Sequence, residues 1–149
     1  MTKQQFTPEY IAFMQSDEAR ALQRLWEPAV GDVFLVHATG ATEVILGWDA
    51  RDTGVWTIQL GIGAGSTKHF WTRGTICGPG AVWLPTLWQL LRIIEGAEGV
   101  WELQANVMWP GRPDGERYRA SVCDRKLSYG TDLLLAAAKL AVKAVEGKG

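Results

Sequence analysis

The chain is 149 residues long, with 15 Lys and Arg against 16 Asp and Glu and a formal net charge of −1. That length suits one compact domain, or two small lobes sharing a core, and it can bury enough apolar surface to fold without staples. The balance excludes a general electrostatic attraction to nucleic acid or an anionic membrane, and it holds on both sides of residue 80, with 6 basic against 8 acidic residues before it and 9 against 8 after.

In chain order, Thr7-Pro8-Glu9 reads as an N-cap with Pro in the first turn, and Ile11, Met14, Ala21, Leu22 and Leu25 recur at helical spacing up to Trp26. A second cap at Ser16 or Asp17 allows a break into two short helices. Residues 27–32, EPAVGD, turn the chain. Strands are expected at 33–38 and 43–48, joined by Thr39-Gly40-Ala41, and residues 49–54 lead into a third at 55–62, where apolar and polar positions alternate.

Residues 61–71, GIGAGSTKHFW, hold the ingredients of a phosphate-cradling loop, but in the wrong order. A P-loop needs Lys directly after its last glycine, then Ser or Thr, then a helix. Here Ser66 and Thr67 separate Gly65 from Lys68, and the continuation HFWTRGTI is aromatic and β-branched, as in a strand. The segment therefore reads as a hairpin tip at 63–67, with its second strand at 69–76. Four short strands with tight turns imply an antiparallel meander, curled like a small barrel or laid against the first helix.

Beyond Cys77-Gly78-Pro79-Gly80 the period changes. Pro85 opens a helix whose Leu87, Leu90, Leu91 and Ile94 share a face, with Gly96 as its stop. Strands at 100–108 and 117–122 flank a linker at 109–115, and a helix at 132–146 is apolar nearly all round, which implies burial on two sides or a partner subunit. The expected fold class is α+β: an N-terminal helix plus a barrel-like antiparallel meander, then an α-β-β-α unit. Residues 1–149 are expected to form one compact domain, with lobes at 1–80 and 81–149 as the alternative division. No internal repeat appears.

No apolar run approaches the roughly 20 residues that span a bilayer, and MTKQQ lacks the apolar core of a signal peptide, so a cytoplasmic location is expected. Cys77 and Cys123 lack C-x-x-C spacing and are expected to be buried free thiols. With His37 and His69 they match no compact zinc pattern, so no metal or other cofactor is expected. The eight tryptophans (26, 48, 56, 71, 83, 88, 101 and 109) are too many for all to be core. Some should serve as stacking platforms or partner anchors.

The segment AVWLPTLWQLLRIIE at 81–95, two strands, a Ser/Gly-rich turn and a closing Leu/Ala helix resemble small phage and prophage proteins. Those carry W-L-P-x-x-x-Q-L at a helix start and a final helix of the form ALLLALL. WEPAVGDVF at 26–34 is similar to their W-x-P-x-x-G-D-W/F opening. Trp88 replaces their usual polar residue, and residues 49–76 form an insert. The resemblance covers about half the chain and implies a mobile-element origin and action in a bacterial host cytosol, with no activity and no catalytic residue to carry over.

Catalytic signatures such as G-x-S-x-G, H-E-x-x-H or paired carboxylates are missing from the sequence, so no enzyme is expected. The candidate ligand-binding residues are Arg112, Arg117, Arg119, Trp109 and Tyr129, beside Trp101, Arg125 and Lys126, because guanidinium forks grip phosphates while aromatic rings stack a base. Lys68 and Arg73, beside the Gly-rich tip, are further anion contacts. The plain alternative pairs these arginines with Glu102, Asp114, Glu116 and Asp124 on a solvated sheet face. The expected function is stoichiometric binding by a phage or prophage accessory protein. Its target would be a phosphorylated host signalling nucleotide that it sequesters, or a host defence protein that it blocks, as an anti-CRISPR blocks its effector. An assembly accessory with no ligand is the alternative, and a homo-oligomer through the last helix is allowed.

Overall fold

The structure is a computed structural model, and it describes residues 6–61, 67–105, 109–113, 115–122 and 126–146. The fold is α+β, with two antiparallel sheets and helices. The chain divides into two compact units, residues 25–85 and residues 1–24 together with 86–149.

Within residues 25–85, β1 (Val33–Val36), β2 (Thr42–Trp48), β3 (Gly54–Gln59) and β4 (Lys68–Thr72) form the expected meander. β5 (Ala81–Trp83) returns to pair with β1, giving the sheet order β4-β3-β2-β1-β5. It is an open sheet rather than a closed barrel. Phe34, Val36, Ile45, Val55, Ile76 and Ala81 form its core, against which Trp26, Trp48 and Trp71 pack. The strand expected at 69–76 stops early. Thr72 caps a short helix, α3 (Arg73–Ile76), by accepting from the Thr75 N–H at 3.3 Å, because its hydroxyl satisfies a helix-end donor that a strand would have had to pair. Of the hairpin tip expected at 63–67, residues 63–66 lie outside the described residues.

The WEPAVGD stretch acts as a buckle at the entrance to β1. The Asp32 carboxylate accepts from the Trp26 indole (2.9 Å) and from the Ala29 N–H (3.0 Å), and Gly31 supplies the positive φ of 92°. The Trp26 ring stacks on Trp83, with centroids 6.2 Å apart and planes 5° apart.

In the other unit, α1 (Pro8–Gln15), a 3₁₀ turn (Asp17–Ala19) and α2 (Arg20–Gln23) pack on α5 (Leu133–Glu146), which also packs against α4 (Leu87–Glu98), so the first helix joins the C-terminal elements rather than the meander. The break falls at Ser16, as its cap-like sequence suggested. β6 (Trp101–Gln104), β7 (Tyr118–Val122) and β8 (Lys126–Gly130) form a three-stranded sheet. β8 occupies the Ser/Gly-rich segment read as a turn, so the expected α-β-β-α order gains a strand. Its Ser128 and Gly130 are buried, and close helix packing replaces the large apolar residues by which a strand is usually recognised. A Cβ on Gly130 would lie 2.7 Å from the Ala136 N, which shows how closely α5 approaches.

Two helix N-termini share one polar contact. The Thr7 Oγ1 accepts from the Tyr10 N–H (3.2 Å) and donates to Asp132 (2.6 Å), whose other oxygen accepts from the Leu135 N–H (2.8 Å). At α4, Thr86 and Gln89 form a reciprocal capping box, and the helix runs past Gly96 to end at Gly99. One glycine inside a helix costs only about 1 kcal/mol, less than the packing of that helix returns.

Replacing Gly130 by Ala is expected to destabilise the fold by about 1–3 kcal/mol, because the new methyl meets helix backbone that cannot rotate away; urea unfolding measures it. Tyr10 is fully buried (0% exposed), and burial, then the nearby Asp132 charge, push its hydroxyl well above the usual value of 10.0. The neutral phenol is thus favoured by folding. Its contribution is complete below about pH 10 and lost as pH rises through the elevated folded value, so melting temperature should fall on the alkaline side, and more shallowly in Tyr10→Phe.

Candidate functional site

β7 and β8 place Arg119 directly opposite Tyr129, and β6 places Gln104 on the other side of Arg119. These three share a face because strand residues alternate. Trp109 and Arg112, from the segment between β6 and β7, close over them. The Arg119 guanidinium carbon lies 4.3 Å from the Trp109 ring centroid and that of Arg112 lies 4.6 Å from the Tyr129 ring, while the two rings meet edge to face at 5.9 Å. The result is a stack of two touching rings with a cation on each, in the order Arg119, Trp109, Tyr129, Arg112.

Four of the seven residues expected to bind a ligand are therefore in mutual contact. Their polar atoms are unevenly satisfied. Arg119 donates through Nη2 to Gln104, and Arg112 pairs with Glu116. The Arg119 Nε and the Trp109 Nε1 are buried with no hydrogen-bond partner among the described residues. Arg117 is exposed just before β7 and has no hydrogen-bond or ion-pair partner among the described residues. Leaving two donors without acceptors costs about 1–3 kcal/mol each, and the ring–cation contacts, worth about 0.5–2 kcal/mol each, offset part of that.

Trp101 and Lys126 do not belong to this stack. Strand alternation turns them to the sheet's other face, where the Trp101 indole donates to Glu95 (3.2 Å) and Lys126 pairs with Glu98. Asp114, Asp124 and Arg125 lie outside the described residues.

Arg73 and Lys68 belong to the first sheet. The Arg73 guanidinium lies 4.3 Å over Trp48 and donates to the Asp52 carbonyl at 3.2 and 2.9 Å, which commits it to holding the β2–β3 turn. That turn is also tied by Asp49, whose carboxyl is held below its ordinary range by hydrogen bonding from Thr53. Lys68 is exposed at the start of β4, next to the tip.

A second polar cluster escaped the sequence reading. Glu43 is 5% exposed on β2. One of its oxygens accepts from the Thr57 hydroxyl at 2.5 Å and the Trp71 indole at 3.4 Å, the other from the His69 Nδ1 at 3.1 Å. A carboxylate only accepts, so the Nδ1 donates to it, and the ring belongs to a side chain that is 45% exposed. The pair is 26 residues apart, a separation no local motif reveals. It has the form of an oriented base, and among the described residues no hydroxyl or thiol bonds to the His69 ring.

Cys77 is a free thiol and exposed, against the expected burial, because it follows the short α3 helix instead of lying within a strand. Cys123 lies outside the described residues. Of the tryptophans, Trp83 is buried, Trp26, Trp48, Trp71, Trp101 and Trp109 are partly buried, and Trp56 and Trp88 are exposed. Comparison of the chain with protein-family models, curated proteins and solved structures gives no match.

Substituting Glu43 by Ala leaves three donors facing a cavity and is expected to cost about 2–4 kcal/mol of stability. His69→Ala should cost less, because its imidazole already reaches water. Denaturant melts followed by tryptophan fluorescence measure both.

Proposed function

We propose that the chain is a non-catalytic, stoichiometric binding protein, an accessory of a phage or prophage, and that its recognition surface is the cation–ring stack of Trp109, Arg112, Arg119 and Tyr129 with Arg117 beside it. One observation carries the reading. Among the described residues the cluster holds three guanidinium groups but a single carboxylate in ion pairing, and two of its donors, the Arg119 Nε and the Trp109 Nε1, have no acceptor. A surplus of planar donors next to aromatic faces suits a ligand that brings phosphate oxygens and a flat base, which is the chemistry of a phosphorylated signalling nucleotide. Sequestering such a signal fits counter-defence in a host cytosol. Blocking a host defence protein is the same strategy with a larger target.

A second reading, an assembly accessory of a virion or prophage, is favoured by a different observation. The outer face of the first sheet exposes Leu46, Trp56, Leu60 and Phe70 together, more apolar surface than a free sheet face needs.

The test is native mass spectrometry of the purified chain with cyclic and linear nucleotides. A mass increment of defined stoichiometry is expected for wild type, and Arg117→Ala and Arg119→Ala should each weaken binding about 10-fold or more, as loss of a charge-assisted hydrogen bond does. Ligand-free spectra across the panel would exclude sequestration and turn the search to a protein target.

A further inference from the structure

The two edges of the first sheet differ. β5 is three residues long and wholly buried, whereas β4 is five residues long and exposed along nearly its whole length. Long unpaired edges invite pairing with another chain, and proteins usually blunt them with a proline, a bulge or several charges. β4 has none of these devices. Its sequence, KHFWT, carries one lysine, at its end, and its register with β3 is unbroken.

That register identifies which backbone groups are free. The Arg73 N–H donates to the Thr53 carbonyl at 2.8 Å, and the pairs Val55 with Trp71 and Thr57 with His69 continue the same series. In an antiparallel ladder, successive residues direct their N–H and C=O alternately to one neighbour and the other. The odd-numbered residues of β4 therefore bond to β3, and Lys68, Phe70 and Thr72 direct theirs away from the sheet, with the Thr72 carbonyl also accepting within the first turn of α3 and keeping one lone pair for the edge.

We propose that β4 pairs with β4 of a second copy of this chain, antiparallel and centred on Phe70, to form a symmetric dimer with one continuous ten-stranded sheet. The strand is complementary to itself in this register. Phe70 meets Phe70, Lys68 meets Thr72 in both directions, and all three outward residues exchange backbone hydrogen bonds. No cation faces a cation. Arg73, the next charge along, is withdrawn onto Trp48 and the Asp52 carbonyl. On the outer face, Trp56 and Phe70 already pack at 4.9 Å. The two-fold axis would extend that pair into a row of four rings, and aromatic cross-strand pairs are among the more stabilising ones. Five paired residues with this ring row bury less than the roughly 1,200 Å² of a tight interface, so the dimer should dissociate on dilution. The inference stands apart from the ligand reading, since it uses no residue of the stack.

The test is light scattering and native mass spectrometry of the full chain over a concentration series. A species of twice 16.4 kDa that dissociates on dilution is expected. Phe70→Lys places like charges on each other across the axis and should abolish that species while the circular dichroism spectrum is retained. Lys68→Pro, which removes an outward N–H without touching the β3 ladder, provides a second variant should the first unfold. In hydrogen exchange the Phe70 amide should become protected as concentration rises. A wild-type monomer at the highest concentration would overturn the proposal, as would a folded variant that stays dimeric or a Phe70 amide that stays unprotected within the dimer.

Discussion

The first sheet depends on satisfying a carboxylate that water hardly reaches. Glu43 lies on the packed side of β2, and a buried carboxylate is tolerated only with donors around it. Thr57 from β3 and His69 and Trp71 from β4 supply them. Much follows from that requirement. With His69 and Trp71 committed to the inner face, Phe70 and Lys68 must face outward, because a slip of one residue would exchange the two sets and strand the carboxylate. The same register decides which backbone groups β4 leaves unpaired. A polar contact inside the unit thus determines what its edge presents outside.

How far this was legible in the sequence depends on the range of the interaction. The meander could be read because alternation at 43–48 and 55–60 is a local pattern, and the Thr7 cap because it acts within its own first turn. The hydrogen bond from Thr7 to Asp132 spans 125 positions and leaves no local trace. Glu43 and His69 each looked like an ordinary polar residue within a strand. β8 was missed for a related reason, since its burial rests on Gly130 and Ser128 fitting beneath α5, whereas strand propensity rewards large side chains. The stack was legible as a list, because Trp109, Arg112, Arg119 and Tyr129 lie within 21 positions of one another. Excluding Trp101 and Lys126 required knowing the face on which each strand position falls.

Both stretches on which the expectation of a phage protein rests have direct mechanical causes in this chain. In WEPAVGD, Asp32 gathers the Trp26 indole and the Ala29 N–H into one turn, with glycine before it because the backbone there has positive φ. In WLPTLWQL, Thr86 and Gln89 cap each other across the first turn of α4, and Trp83 supplies the ring on which Trp26 stacks. Trp88, at the position where those proteins carry a polar residue, is 62% exposed, so its neighbourhood needs no apolar residue there. The shared letters are those that build a turn and start a helix. They bear on how this chain folds, and a functional reading has to rest on other residues.

The cation–ring stack is where such a reading has most to work with, and comparing magnitudes indicates why. A self-contained packing device would match donors with acceptors, as Arg73 does over Trp48, where the guanidinium has both a ring and a carbonyl. At the Arg119 Nε and the Trp109 Nε1 the rings are supplied and, among the described residues, the acceptors are not. The two ring contacts return only part of what the two orphaned donors together cost. The arrangement therefore adds little net stability as it stands. An acceptor-rich ligand would recover the donors while keeping the rings, so binding would draw on a deficit already present in the free protein, and little reorganisation of the side chains would be needed to exploit it.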